Sequence, residues 1–83
     1  MKEKKRVREY LIRLFELLLS NREKYFYGDC VNSDGRKVLE NILAAIVREA
    51  PIYRRRIYRI RRSPCYEDIY KLYEEVMKYY GLK

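Results

Sequence analysis

The sequence predicts an all-α fold: a small single-domain bundle of about four helices, the third of them short and arginine-rich. Three observations carry that expectation. Apolar residues recur at helical spacing in four segments, and no segment alternates as a half-buried strand would. Gly28, Pro51, Pro64 and Gly81 fall between or after those segments, where helices stop and start. The chain has 83 residues, 48% of them hydrophobic, enough for one core with little room for a second. Residues 1–83 are therefore read as one domain, with the basic residues 1–6 as a candidate flexible arm.

The first helix is expected from about Glu3 to Leu19. Val7, Leu11, Leu14 and Leu18 follow the i, i+4, i+7 pattern, flanked by Tyr10, Phe15 and Leu17. Arg6, Glu9, Arg13 and Glu16 fall on the other side. Continuing the helix would carry Asn21 and Arg22 onto the apolar face, so it should break there. Ser20 with Glu23 three residues later fits a capping box, which implies a short second turn through Tyr27, ended by Gly28.

A loop is expected over residues 28–33, with Ser33 or Asp34 capping the second long helix. Val38, Leu39, Ile42, Leu43, Ala45, Ile46 and Ala50 form its apolar face; Lys37, Glu40, Asn41 and Arg48 lie outside it. Pro51 stops that helix and opens the arginine segment. Tyr53, Ile57 and Ile60 share one stripe of a helix over 51–62, and arginines take the rest of its circumference. A basic wing-like strand is the alternative there. Ser63 as cap and Pro64 at the first helical position then begin the last helix, with Glu67 and Asp68 in its opening turns. Tyr66, Ile69, Tyr70, Leu72, Tyr73, Val76, Met77, Tyr79 and Tyr80 occupy one half of it, and Gly81 closes it. On the other half, Glu67–Lys71 and Glu74–Lys78 have favourable i, i+4 spacing.

Charge is the strongest functional signal. The formal net charge is +8, and Arg54, Arg55, Arg56, Arg59, Arg61 and Arg62 crowd into nine residues with no acid among them. Like charges this close repel, and polyanionic phosphate is the commonest partner that compensates them. Guanidinium offers a planar, permanently charged fork that grips phosphate with two hydrogen bonds. Tyr58 lies among the arginines, off the apolar stripe, where it is a candidate to stack on an unpaired base. Arg48 and the N-terminal Lys4, Lys5 and Arg8 stand as supporting cations. The competing account is an internal charge zipper, with the arginines paired to Glu67, Asp68, Glu74 and Glu75. Among the other tyrosines, Tyr25 and Tyr27 are candidates for exposed stacking, while those of the last helix are assigned to the core.

Cys30 and Cys65 carry two readings, a disulfide tying the central loop to the start of the last helix, or two unrelated small core residues. The chain holds no His, Gln, Thr or Trp and is rich in Arg, Lys, Glu and Tyr. Charge-rich composition poor in thermolabile amides is a bias of hyperthermophiles, which points to an archaeal or viral source from a hot environment. Intracellular disulfides are an acknowledged feature of such organisms.

Other chemistry finds little support. Residues 30–35 brush against a calcium-loop pattern, but Cys30 and Asn41 stand where carboxylates are required, and helix capping explains the same residues. Without histidine there is no Cys–His arrangement, and no nucleotide-cradling glycine loop or paired-cysteine metal motif is visible. No enzyme activity, cofactor or metal is expected. The apolar stretch near the N-terminus is broken by Arg13 and Glu16, so neither a targeting segment nor a membrane partner is expected, and the chain is read as cytoplasmic.

The sequence thus points to a small basic protein that binds DNA or RNA by contacting phosphates through its arginine-rich helix. The rival expectation is a protein-interaction adaptor or virion structural protein, a homodimer whose arginine segment pairs with acidic surfaces. It is motivated by the wide apolar faces of the first and last helices.

Overall fold

The computed structural model describes Lys2–Tyr80, with side chains from Arg8 onward. The order is α1 (Lys2–Ser20), α2 (Arg22–Tyr25), β1 (Phe26–Tyr27), β2 (Cys30–Val31), α3 (Ser33–Glu49), a 3₁₀ turn (Pro51–Tyr53), α4 (Arg54–Arg62) and α5 (Tyr66–Tyr79). The protein is an all-α domain with one tiny antiparallel strand pair. No helix among the described residues is long and apolar enough to cross a membrane.

The long helices form because each buries one apolar stripe against the others. Leu11, Phe15 and Leu18 of α1 meet Leu39, Ile42, Leu43 and Ile46 of α3 and Ile69, Leu72 and Val76 of α5 in one core. Fully burying each such side chain contributes about 1.5–3 kcal/mol relative to leaving it exposed. The buried edge of α1 is set by Phe15 rather than Leu14, which is half-buried, and Leu17 is exposed. Phe15 wins this place because its ring packs on Tyr73 of α5, with centroids 5.1 Å apart. Val7, read as part of that stripe, lies outside the described side chains.

The helix termini depart from the expected caps. Ser20 is the last residue of α1, and Asn21 stands ahead of α2, its Nδ2 donating to the Leu17 carbonyl at 2.8 Å. The Ser20–Glu23 capping box is therefore not formed. Asn32, not Ser33 or Asp34, caps α3: its Oδ1 accepts from the Gly35 amide at 2.8 Å while its Nδ2 donates to the Lys24 carbonyl at 2.8 Å. One side chain thus satisfies an open amide of α3 and an open carbonyl of α2, a saving neither Ser33 nor Asp34 provides. At α5 the cap position is Cys65, and helix begins at Tyr66, so Ser63 and Pro64 lie in the connection instead. Pro64 is buried there, and its carbonyl accepts from the Val31 amide at 3.0 Å. Gly81, expected to close α5, is outside the described residues.

The second correction is the segment after α2. Phe26 pairs with Val31 and Tyr27 with Cys30 in an antiparallel hairpin, where the spacing suggested helix and then loop. Gly28, at φ +65°, turns this hairpin rather than ending a helix. Asp29 beside it keeps negative φ, the signature of a II′ turn, which requires glycine at its first central position. Two-residue strands are too short to show alternation in sequence.

The hairpin anchors the far end of the bundle. A disulfide joins Cys30 to Cys65, across a backbone bridge between the same two residues. The Tyr66 amide donates to the Asp29 carbonyl at 2.7 Å, so the turn and the start of α5 hold each other by covalent and hydrogen bonds.

Candidate nucleic-acid interface

α4 is placed by two isoleucines. Successive helical residues turn by about 100°, so Tyr53, Ile57 and Ile60 cluster on one side, where Ile57 and Ile60 are buried and Tyr53 is half-buried. The arginines then divide by position. Arg56 and Arg61 flank the buried stripe, one on each side; Arg54, Arg55, Arg59 and Arg62 lie further round, with Tyr58 among them.

The ion pairs follow that division. Arg56 pairs with Glu75 of α5, and Arg61 Nε donates to Glu40 Oε1 of α3 at 3.1 Å. Only flanking positions of α4 reach the carboxylates of neighbouring helices. Among the described residues, Arg54, Arg55, Arg59 and Arg62 have no carboxylate within ion-pair distance. The zipper expectation is met at Glu75 alone of its four acids; Glu67, Asp68 and Glu74 pair with no α4 arginine, and Glu40, outside the apolar face of α3, takes Arg61 instead. Both pairs are half-exposed, so each contributes at most about 1 kcal/mol.

The outward face of α4 therefore carries four uncompensated guanidiniums around Tyr58, whose side chain is 63% exposed. Its base is rigid. The Tyr53 hydroxyl donates to the Glu75 carbonyl at 3.3 Å, and the Tyr53 ring meets Tyr79 edge-on at 5.9 Å. Burial raises the pKa of the Tyr53 hydroxyl above the ordinary tyrosine value, with the Glu75 carboxylate adding to the effect. Burial does the same at Tyr80, reinforced by Glu49.

The supporting cations are less tightly grouped. Arg48 is exposed in the last turn of α3, just before the 3₁₀ turn that leads into α4. Arg8 is half-buried on α1. Lys4 and Lys5 belong to the backbone of α1, but their side chains lie outside the described residues, as does the structure of Met1.

The tyrosines redistribute. Tyr25 is 7% exposed and belongs to the core, not to a stacking surface. Tyr27 is exposed at the hairpin, on the far side of the disulfide from α4 in sequence. On α5, the core reading fails for Tyr70 and Tyr79, which are exposed, while Tyr66, Tyr73 and Tyr80 are only half-buried against the core. Their hydroxyls explain this: a buried phenol needs a partner, and Tyr66 finds one only at the bundle edge, donating to the Leu19 carbonyl at 3.5 Å. Arg22 lies over the Tyr66 ring at 4.1 Å, a cation–π contact of α2 with α5.

Sequence reasoning missed two residues that sit beside the arginines. Ser63 and Lys71 line a cleft between α4 and α5 together with Arg56, Arg59, Ile60 and Asp68. No signal in the sequence joins Lys71 to α4, since twelve residues separate it from Arg59 and only the α4–α5 corner brings them together. Comparison with family models, with curated proteins and with solved structures returns no match for this chain.

Proposed function

We propose that the protein binds nucleic acid through the outward face of α4, gripping backbone phosphates with Arg54, Arg55, Arg59 and Arg62. One observation carries this reading: the four arginines furthest from the buried stripe have no ion-pair partner among the described residues, although acidic α5 packs nearby. Repulsion among them costs stability, and a bound polyanion offsets it. Tyr58 supplies a stacking surface within the same patch. Arg48 and the N-terminal Lys4, Lys5 and Arg8 are proposed as supporting cations on their charge alone. The segment lacks Asn and Gln, which favour adenine, so binding is dominated by backbone charge.

Salt titration tests it. Affinity should fall linearly on a log–log plot, with a slope of about −3.6 for a short duplex, four contacts at about 0.9 each, and about −2.8 for a single strand at about 0.7 each. A flat dependence, or no binding at low salt, defeats the proposal.

A second reading draws on a different observation. Tyr10 and Leu17 of α1 and Tyr70 of α5 are exposed apolar side chains, as a homodimer or adaptor surface would require. Sedimentation at micromolar and higher concentrations tests that alternative; a monomer throughout removes the homodimer.

A further inference from the structure

Where α4 turns into α5, Arg56, Arg59, Ile60 and Ser63 form one wall of a cleft, and Asp68 and Lys71 form the other. Its volume is about 250 Å³. Clefts that enclose whole small molecules run to roughly 300–1,000 Å³, so this one suits a single compact group. Buried Ile60 is its one apolar lining residue. Arg56 is already engaged by Glu75, which leaves Arg59 and Lys71 as the cations of the lining without an ion pair among the described residues, and Ser63 lines the same cleft with its hydroxyl donating weakly to Cys65 Sγ at 3.7 Å.

We propose that this cleft is the seat of one backbone phosphate, held between Arg59 of α4 and Lys71 of α5 with the Ser63 hydroxyl as a further donor. The proposal rests on the nucleic-acid binding put forward above and names a contact outside the arginine helix. A phosphate here meets donors from two helices set at a fixed corner, whereas on the open face of α4 it meets one row of flexible side chains. The connection between the two walls is fastened to the hairpin by the Cys30–Cys65 disulfide and by the Pro64 carbonyl, which restricts how the corner can move. Ser63 and Pro64 thereby acquire a role that the capping expectation did not give them.

Asp68 is the opposing charge. It lies in the first turn of α5, where a carboxylate favours the helix dipole, and it has no cation within ion-pair distance among the described residues. Facing the same opening, it weakens phosphate binding. Its removal therefore gives a sign opposite to that of removing Lys71.

The experiment measures binding of a fluorescent single-stranded oligonucleotide between 50 and 300 mM salt. It compares the unaltered protein with Lys71→Ala, Ser63→Ala, Asp68→Asn and Lys78→Ala. Lys78 lies on the same face of α5, about 10 Å further along the helix and outside the cleft. Lys71→Ala should make the log–log slope shallower by about 0.7, a loss of about fivefold at 0.1 M salt. Asp68→Asn should strengthen binding, Ser63→Ala should weaken it, and Lys78→Ala should change it least. Equal effects of Lys71→Ala and Lys78→Ala, or none from either, overturn the cleft while leaving binding by α4 intact. No binding by the unaltered protein at 50 mM salt defeats the underlying proposal itself. Thermal melting of each variant reports folding, and Lys71→Arg, which keeps the charge, should restore binding if Lys71→Ala lowers it.

Discussion

α4 and α5 are neighbours in one bundle, both amphipathic, and they handle charge in opposite ways. In α5 acids and bases are interleaved along the outer face, four acids (Glu67, Asp68, Glu74 and Glu75) with two lysines (Lys71 and Lys78), so the helix is mildly acidic. In α4 every charged residue is an arginine. The four carboxylates of α5 could pair with four of the six α4 arginines, yet among the described residues only Glu75 reaches across. A helix can share ion pairs with its neighbours only along the margins of its buried stripe, and α4 has just two arginines there. Even the Glu67–Lys71 and Glu74–Lys78 spacings of α5 produce no ion pair within 4 Å among the described residues. Charge on the outward side of a short helix is thus left to solvent or to a partner, whatever the composition of the helix beside it.

The sharpest way to break the contrast is to discharge the outward face of α4. Arg55→Ala, Arg59→Ala and Arg62→Ala together should cut oligonucleotide affinity about a hundredfold or more at low salt, through the loss of three charge-assisted contacts. The melting temperature should stay nearly unchanged, since none of the three has an ion pair among the described residues. A large fall in melting temperature would instead mean that these arginines are tied into the fold.

Next in size is the tie between the hairpin and the start of α5. The disulfide spans 35 residues of sequence, and in the chain-entropy model closing such a loop adds about 3–4 kcal/mol. Cys30→Ser with Cys65→Ser should lower the melting temperature by roughly 12–30 °C for a domain of this size. Calorimetry of the variant and of the reduced protein should agree.

A paired substitution within α4 separates its two sides. Ile57→Ala removes a buried side chain and should cost about 2–5 kcal/mol in chemical denaturation. Tyr58→Ala, one residue on and exposed, should change stability by less than about 0.5 kcal/mol while weakening single-strand binding by about 1–3 kcal/mol. If the two substitutions behave alike, the division of α4 into buried and outward sides is wrong.

The smallest effect comes from pH. Tyr53 and Tyr80 have hydroxyl pKa values raised above the ordinary 10.0, first by burial and then by Glu75 and Glu49. The unfolded chain releases those protons first, so their contribution to stability is complete below about pH 10 and is lost as pH rises above it through the folded values. Denaturation midpoints measured from pH 8 to 11.5 should fall at the alkaline end, and less steeply in Tyr53→Phe and Tyr80→Phe.

Much of this architecture was legible residue by residue. The buried side of α4 follows from Tyr53, Ile57 and Ile60 alone, and the faces of α3 and α5 from their 3.6-residue period. The hairpin was not legible, because two-residue strands such as Phe26–Tyr27 carry no period. Nor was the capping role of Asn32, since Ser33 and Asp34 offer equivalent chemistry in the adjoining positions and the choice depends on where the Lys24 carbonyl lies. Tyr70 and Tyr79 misled for a related reason: periodicity places a tyrosine on the apolar half of a helix without saying how far the neighbouring helix extends over it.

Taken alone, the order of residues decided which stretches become helices, which side of each turns inward, and how many guanidiniums crowd onto α4; these are local consequences of side-chain volume, polarity and helical pitch. The folded arrangement decided which two arginines meet a carboxylate, which tyrosines stay wet, and that Lys71 and Ser63 stand beside Arg59. Such juxtapositions depend on distances between segments remote in sequence, and a pattern that repeats every few residues holds no record of them.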